Sequence, residues 1–149
     1  MDKTYRIVED HEHFLVVNKS PGIAIHGDSE HDAGDPQGLL ALIKSERKLT
    51  ELYPVHRLDK VTSGLLVLAK TREANRALSM QFESRTIEKY YLALSRRKPK
   101  KKQGKISGDM AKGRRGSWKL TSSHHNPAVT QFFSTAVEGE GRLFLLKPK

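Results

Sequence analysis

The stretch from Pro54 to Lys70, PVHRLDKVTSGLLVLAK, constrains the fold most, because it sets a dense polar loop directly against an apolar run. Leu65, Leu66, Val67, Leu68 and Ala69 have the continuous apolar pattern of a strand covered on both faces. Gly64 opens that strand and Lys70 closes it. Before it, His56, Arg57, Asp59, Lys60, Thr62 and Ser63 crowd together, too polar for a core and too rich in functional groups for an ordinary turn. Loops held on rigid strands commonly carry function. Asp59 is the only carboxylate between Glu51 and Glu73, and Arg57 and Lys60 flank it. Neighbouring cations favour an ionised carboxylate, available as nucleophile or base, although a salt-bridged turn aspartate with Thr62 and Ser63 as hydrogen-bonders has the same sequence appearance.

A length of 149 residues predicts one domain, since no Pro/Gly/Ser-rich linker divides the chain. There is no cysteine, hence no disulfide framework, Cys-based zinc site or thiol nucleophile, as expected of a reducing, cytoplasmic setting. The start, MDKTYRIVED, lacks the apolar segment of a signal peptide, and no run approaches the roughly 18 apolar residues of a membrane span. Net charge is +10, unevenly spread: residues 1–84 carry 11 Lys/Arg against 13 Asp/Glu, whereas residues 85–149 carry 16 against 4. A basic half of this kind suits a polyanionic partner, nucleic acid or membrane surface.

In chain order, residues 4–18 read as a strand, a turn and a second strand, ended by Lys19-Ser20-Pro21-Gly22. His11 and His13 have no third ligand nearby and read as hairpin surface, and no metal site is expected. His26 to Gln37, acidic and without hydrophobic periodicity, reads as an exposed loop. A helix follows over about Gly38–Lys48, with Leu39, Leu40, Leu42 and Ile43 as its apolar face. Thr71 is the expected N-cap of a second helix reaching about Ser84, whose Ala74, Leu78 and Phe82, joined by Ala77, should pack on the sheet. Residues 86–94 alternate as a strand, with Tyr91 and Ala93 on one face and Tyr90, Leu92 and Leu94 on the other.

Arg96 to Lys105, RRKPKKKQGK, is too cationic for a core and reads as an exposed loop or hairpin tip. Residues 112–119, KGRRGSWK, interleave four cations with Trp118, which could stack on a base or pack at a strand start. Ala128–Ser134 and Arg142–Lys147 read as a hairpin across a glycine-rich turn. His124 and His125 have no metal-ligand partner at useful spacing. The fold class expected is α+β: a mixed, mostly antiparallel sheet with two main flanking helices.

The string His56-Arg57-Leu58-Asp59-Lys60-Val61-Thr62-Ser63-Gly64-Leu65-Leu66 closely resembles the HRLDxxTSGLL signature of the RluA family of RNA pseudouridine synthases. The resemblance implies that Asp59 is the catalytic aspartate and that Arg57 enters the RNA stack as the target uridine leaves it. Lys89-x-Tyr91-x-Ala93 resembles the family's second motif, KxYxA, which turns Tyr91 from a strand anchor into an active-site residue lying against the target base. Lys19-Ser20-Pro21-Gly22 resembles the family's Asn-Lys-Pro-x-Gly turn with the proline displaced by one place. A third motif, GRTHQ(I/L)R, is not found before Lys149, so the chain is expected to be C-terminally truncated relative to the family, with no additional N-terminal RNA-binding domain.

The family's isomerisation of uridine in rRNA or tRNA needs no cofactor, metal or nucleotide. RNA contacts are expected from His56, Arg57, Thr62 and Lys89, with His56 as a positioning group, and from the basic Arg96, Arg97, Lys101, Arg114 and Arg115 on phosphate. A monomer with no membrane association is expected. The rival expectations are a non-catalytic RNA-binding protein or an inactive fragment of the same fold. A glycoside hydrolase fits less well, because no second carboxylate stands beside Asp59.

Overall fold

The structure is a computed structural model that describes residues 4–27, 38–114, 117–139 and 141–149. The acidic stretch from Asp28 to Gln37, and Arg115 among the expected RNA contacts, lie outside the described residues. The chain gathers into two compact units, Met1–Thr86 and Ile87–Lys149.

The first unit is a four-stranded sheet of order β1-β2-β4-β3 with two helices. β1 (Tyr5–Asp10) and β2 (Phe14–Lys19) form the expected hairpin, and β2 pairs antiparallel with β4 (Gly64–Ala69). β3 is only Tyr53–Pro54 and lies against Ala69 and Leu68 of β4; no periodicity could announce so short a strand. The apolar run is thus an inner strand, but it is not covered on both faces. Leu66 and Leu68 are fully buried, whereas Leu65 is 59% exposed and Val67 half-buried. Leu15, Val17, Leu39, Ile43, Leu66 and Leu68 form the centre of the core.

α1 (Gly38–Arg47) buries Leu39, Leu40 and Ile43 of its expected apolar face, while Leu42 is only half-buried. α2 (Arg72–Glu83) starts at the expected cap, where Thr71 Oγ1 accepts from the Ala74 N–H at 3.1 Å. It lies against β3 and β4, but its inner face differs from the expected one. Ala77 is exposed, and Asn75 and Ser79 join Ala74, Leu78 and Phe82 on the half-buried side, because 100° per residue carries position 77 past the contact line.

The second unit is a four-stranded antiparallel sheet of order β5-β10-β9-β6, with a separate two-stranded hairpin β7-β8. Its strands are β5 (Tyr91–Ser95), β6 (Gln103–Gly108), β7 (Met110–Lys112), β8 (Trp118–Leu120), β9 (Ala128–Val137) and β10 (Gly141–Pro148). β9 and β10 are the expected hairpin, with β9 running on to Val137 and β10 one residue longer at each end. β5 begins at Tyr91 rather than near residue 86. Tyr91 pairs with Leu146, and two places further along β10 stands Pro148, which has no N–H for the ladder. The cationic loop is shorter than expected, because β6 starts at Gln103 and Gly104 has Phe132 of β9 against its open side. Every pairing among the described residues is antiparallel, in keeping with the α+β expectation.

Candidate active site

Leu58 sets the geometry of the polar loop. Its side chain is buried in the core, which leaves its neighbours Arg57 and Asp59 pointing out of it, both exposed. The Thr62 N–H donates to the Asp59 carbonyl at 3.0 Å, so a turn closes directly behind the carboxylate-bearing residue. A cleft of about 460 Å³ opens here, with His56, Arg57, Leu58, Asp59 and Lys60 on one wall and Ala24, Ile25 and His26 on the other. That volume lies in the range of small-molecule sites, about 300–1,000 Å³, and is enough for one nucleoside but not for a duplex.

The loop is held at three places. At its start, β3 ends on Pro54 and His56 continues the ladder with its side chain. The Val67 N–H of β4 donates to His56 Nε2 at 3.0 Å, and the imidazole stacks on Phe82 of α2 with centroids 4.5 Å apart. Nε2 therefore acts as an acceptor, and the imidazole faces the sheet as much as the cleft. At the loop's centre, the Lys60 carbonyl accepts from the Gly22 N–H at 2.7 Å, and Gly22 adopts φ +93°, a backbone conformation that favours glycine in this turn.

The third hold is Lys19, whose sequence context predicts only a turn. Its side chain is wholly buried, and Nζ donates to the carbonyls of Ser20, Ile23 and Lys60 at 3.0, 3.0 and 3.1 Å. The ammonium thus ties both walls of the cleft together. Burial pushes its pKa below the ordinary lysine value, and the negative charge of Asp59 acts in the opposite direction. A signal for this was present: Leu15, Val17 and Lys19 alternate along β2, and all three are fully buried. His26, on the opposite wall, is a second cleft residue, whose place at the start of an acidic stretch predicts only an exposed loop.

His56, Arg57 and Asp59 are thus brought together in one cleft, with half-buried Thr62 behind it. The remaining expected site residues belong to the second unit. Tyr91 is half-buried at the first position of β5, and half-buried Lys89 precedes that strand. Arg96, Arg97 and Lys101 are exposed between β5 and β6, and Arg114 is exposed after β7. His11, of the HxH pair, accepts from the His13 N–H through Nδ1 and stacks on Phe14, which accounts for it as hairpin structure.

Comparison with known proteins adds a lineage to this geometry. The family model for RNA pseudouridylate synthase matches residues 13–148. An uncharacterized RNA pseudouridine synthase of Haemophilus influenzae is 48% identical over 143 residues, 96% of this chain and 62% of the relative. Ribosomal large subunit pseudouridine synthase C of Vibrio vulnificus is 36% identical over 126 residues, 85% of this chain and 39% of the relative. Among solved structures, human RNA pseudouridylate synthase domain containing 4 superposes with a TM-score of 0.71 at 25% identity, covering 95% of this chain and 58% of that one. The chain therefore spans less than two thirds of the length of these relatives.

Proposed function

The chain belongs to the RNA pseudouridylate synthase family, and from that premise we propose that it isomerises uridine to pseudouridine in structured RNA, with Asp59 as the catalytic group. The observation that carries this reading is the exposed Asp59 carboxylate in a nucleoside-sized cleft, on a loop whose Lys60 carbonyl is tied to the buried ammonium of Lys19. The reaction breaks the bond from N1 to the sugar, turns the base and joins C5 to the same carbon; the C5 proton is released to solvent and N1 takes one up, so the composition is unchanged. Asp59 acts on the ribose or the base, as nucleophile or as base.

The uridine must leave its stack first, at a cost of a few kcal/mol. Arg57, exposed beside Asp59, is suited to fill the gap, because its planar cation stacks on bases and forks to phosphates. Tyr91 limits the turning base or assists removal of the C5 proton. The exposed cations Arg96, Arg97, Lys101 and Arg114, together with Arg115, contact phosphate, while Thr62 and Lys89 flank the bound strand.

The family match runs through both units, which supports one catalytic domain over the whole chain. Relatives named for the large ribosomal subunit favour rRNA as the substrate class. Among the described residues no helix is long and apolar enough to cross a membrane.

The test is tritium release from RNA labelled at uridine C5. The 149-residue chain should release tritium, and Asp59→Asn should lower the rate at least about 10²-fold while binding the same RNA. Retained turnover in Asp59→Asn would remove the assigned role.

A further inference from the structure

Beyond the cleft, the feature of the sequence that the proposed chemistry does not use is Trp118. Its surroundings decide between the two roles its sequence left open. The residue is 59% exposed, so it is not a strand anchor. β7 and β8 pair Met110 with Leu120 and Lys112 with Trp118, and alternation puts these four side chains on one face of the hairpin. That face is an apolar strip with an indole beside a lysine ammonium at its outer end.

The Gly113 N–H donates to the Ser117 carbonyl at 2.7 Å, and Ser117 Oγ donates to the Arg114 carbonyl at 2.8 Å. A Cβ on Gly113 would stand 2.6 Å from Ser117 Oγ, so the two arms approach closely there. The segment 95–119 holds eleven Lys and Arg and a single carboxylate, Asp109. Asp109 accepts from the Ser123 hydroxyl and from the N–H groups of His125 and Asn126, which holds its pKa below the ordinary carboxylate value. The bonds of its carboxylate go to Ser123, His125 and Asn126, after β8, and not to the cations beside Trp118.

We propose that the β7–β8 hairpin is a second RNA contact in which Trp118 stacks on an unpaired base while Lys112 and Arg114 meet the adjoining phosphates. This rests on the RNA-directed reading of the protein and extends it to a sequence-tolerant grip on single-stranded RNA, separate from the pocket that takes the target uridine. Every base has a stacking face, whereas a paired base in a duplex interior does not offer it.

Trp118 is the only tryptophan in the chain, so its own emission reports on the contact. The full chain is titrated with a fluorescein-labelled single-stranded oligouridylate, a blunt RNA duplex and heparin, following tryptophan emission and, for the RNAs, anisotropy. The single strand should quench emission over the concentrations at which anisotropy reports binding, and the duplex and heparin should not. Trp118→Leu, which keeps a strand-compatible apolar side chain, should weaken the single strand about ten-fold and leave heparin binding unchanged, with Trp118→Phe recovering most of the loss.

Unchanged emission at saturating single strand, equal loss of heparin binding in Trp118→Leu, or a blue shift that grows with protein concentration alone would each overturn the contact. The first two leave the synthase reading intact, and the third shows a second copy covering the hairpin. Absence of RNA binding in anisotropy would overturn both proposals.

Discussion

Pro54 ends β3, and beyond it the Val67 N–H of the inner strand β4 meets a side chain, His56 Nε2, in place of a carbonyl. Deleting that ring strands the N–H and removes the stack on Phe82. An unmade hydrogen bond at a part-buried donor costs about 1–3 kcal/mol. His56→Ala should therefore lower unfolding free energy by about 2 kcal/mol in urea titrations, and slow tritium release more than it weakens RNA binding, because Arg57 and Asp59 lose the anchor next to them. His56→Gln, which can offer a carbonyl to Val67 but no ring, should recover part of the stability. Equal stability of His56→Ala and the unsubstituted chain would show that the ladder closes without the imidazole. The sequence placed His56 in the site but could not show which way its nitrogens face, since that depends on a strand pairing between residues eleven positions apart. Lys19 was hidden for the same reason: its three acceptors lie in two loops that only the fold brings together.

α2 shows what local signals decide and where they stop. The Thr71 cap was legible because capping depends on neighbours only, and Thr71→Ala should lower stability by about 1 kcal/mol with an unchanged urea m-value. The helix's inner face was less legible, since Asn75 and Ser79 gain their half-buried places from the sheet below, not from hydrophobicity. β3, β6 and β7 were missed because two- and three-residue strands, and a strand starting inside a cationic run, have no period of their own.

Element ends are also joined by charge. Asp10 at the end of β1 pairs with Arg47, the last residue of α1, and with Lys70 after β4. The Lys70 hydrogen bond, with the charges of Lys70 and Arg47, holds the Asp10 carboxyl below its ordinary value of 3.8. The folded state thus binds that proton less readily than the unfolded chain. The stabilisation is present above about pH 4 and is lost as pH falls through the depressed folded value. Solvent screening limits it to about 0.5 kcal/mol. Asp10→Asn should be less stable than the unsubstituted chain at neutral pH, and the gap should close below pH 4 in thermal melts. A gap that persists there would assign the loss to something other than ionisation.

At the scale of the whole chain, charge and burial are segregated in opposite senses. Met1–Thr86 carries 12 Lys and Arg against 13 Asp and Glu, and Ile87–Lys149 carries 15 against 4. The charge asymmetry was legible by counting. For RNA binding it predicts a steep salt dependence, and replacing Arg96, Arg97 and Lys101 with Gln should reduce the slope of log K against log salt by about 2, at roughly 0.7 per phosphate contact on a single strand. The location of the core was not legible, because apolar residues occur in both halves and only burial tells them apart. Among the described residues every buried hydrophobic side chain lies at or before Ala69, whereas Leu92, Leu94, Phe133 and Leu145 of the second sheet are exposed, Leu92 by 70%. Burying an aliphatic side chain contributes about 1.5–3 kcal/mol, and a piece of roughly sixty residues is marginal even with a core of its own. Self-repulsion among unbalanced cations opposes compaction further. Prepared alone, residues 1–86 should unfold cooperatively in urea, and residues 87–149 should show no cooperative transition at low ionic strength but gain strand signal in circular dichroism when heparin neutralises the cations. A cooperative urea transition in the isolated second unit without a polyanion would mean that its sheet is stabilised by contacts other than apolar burial.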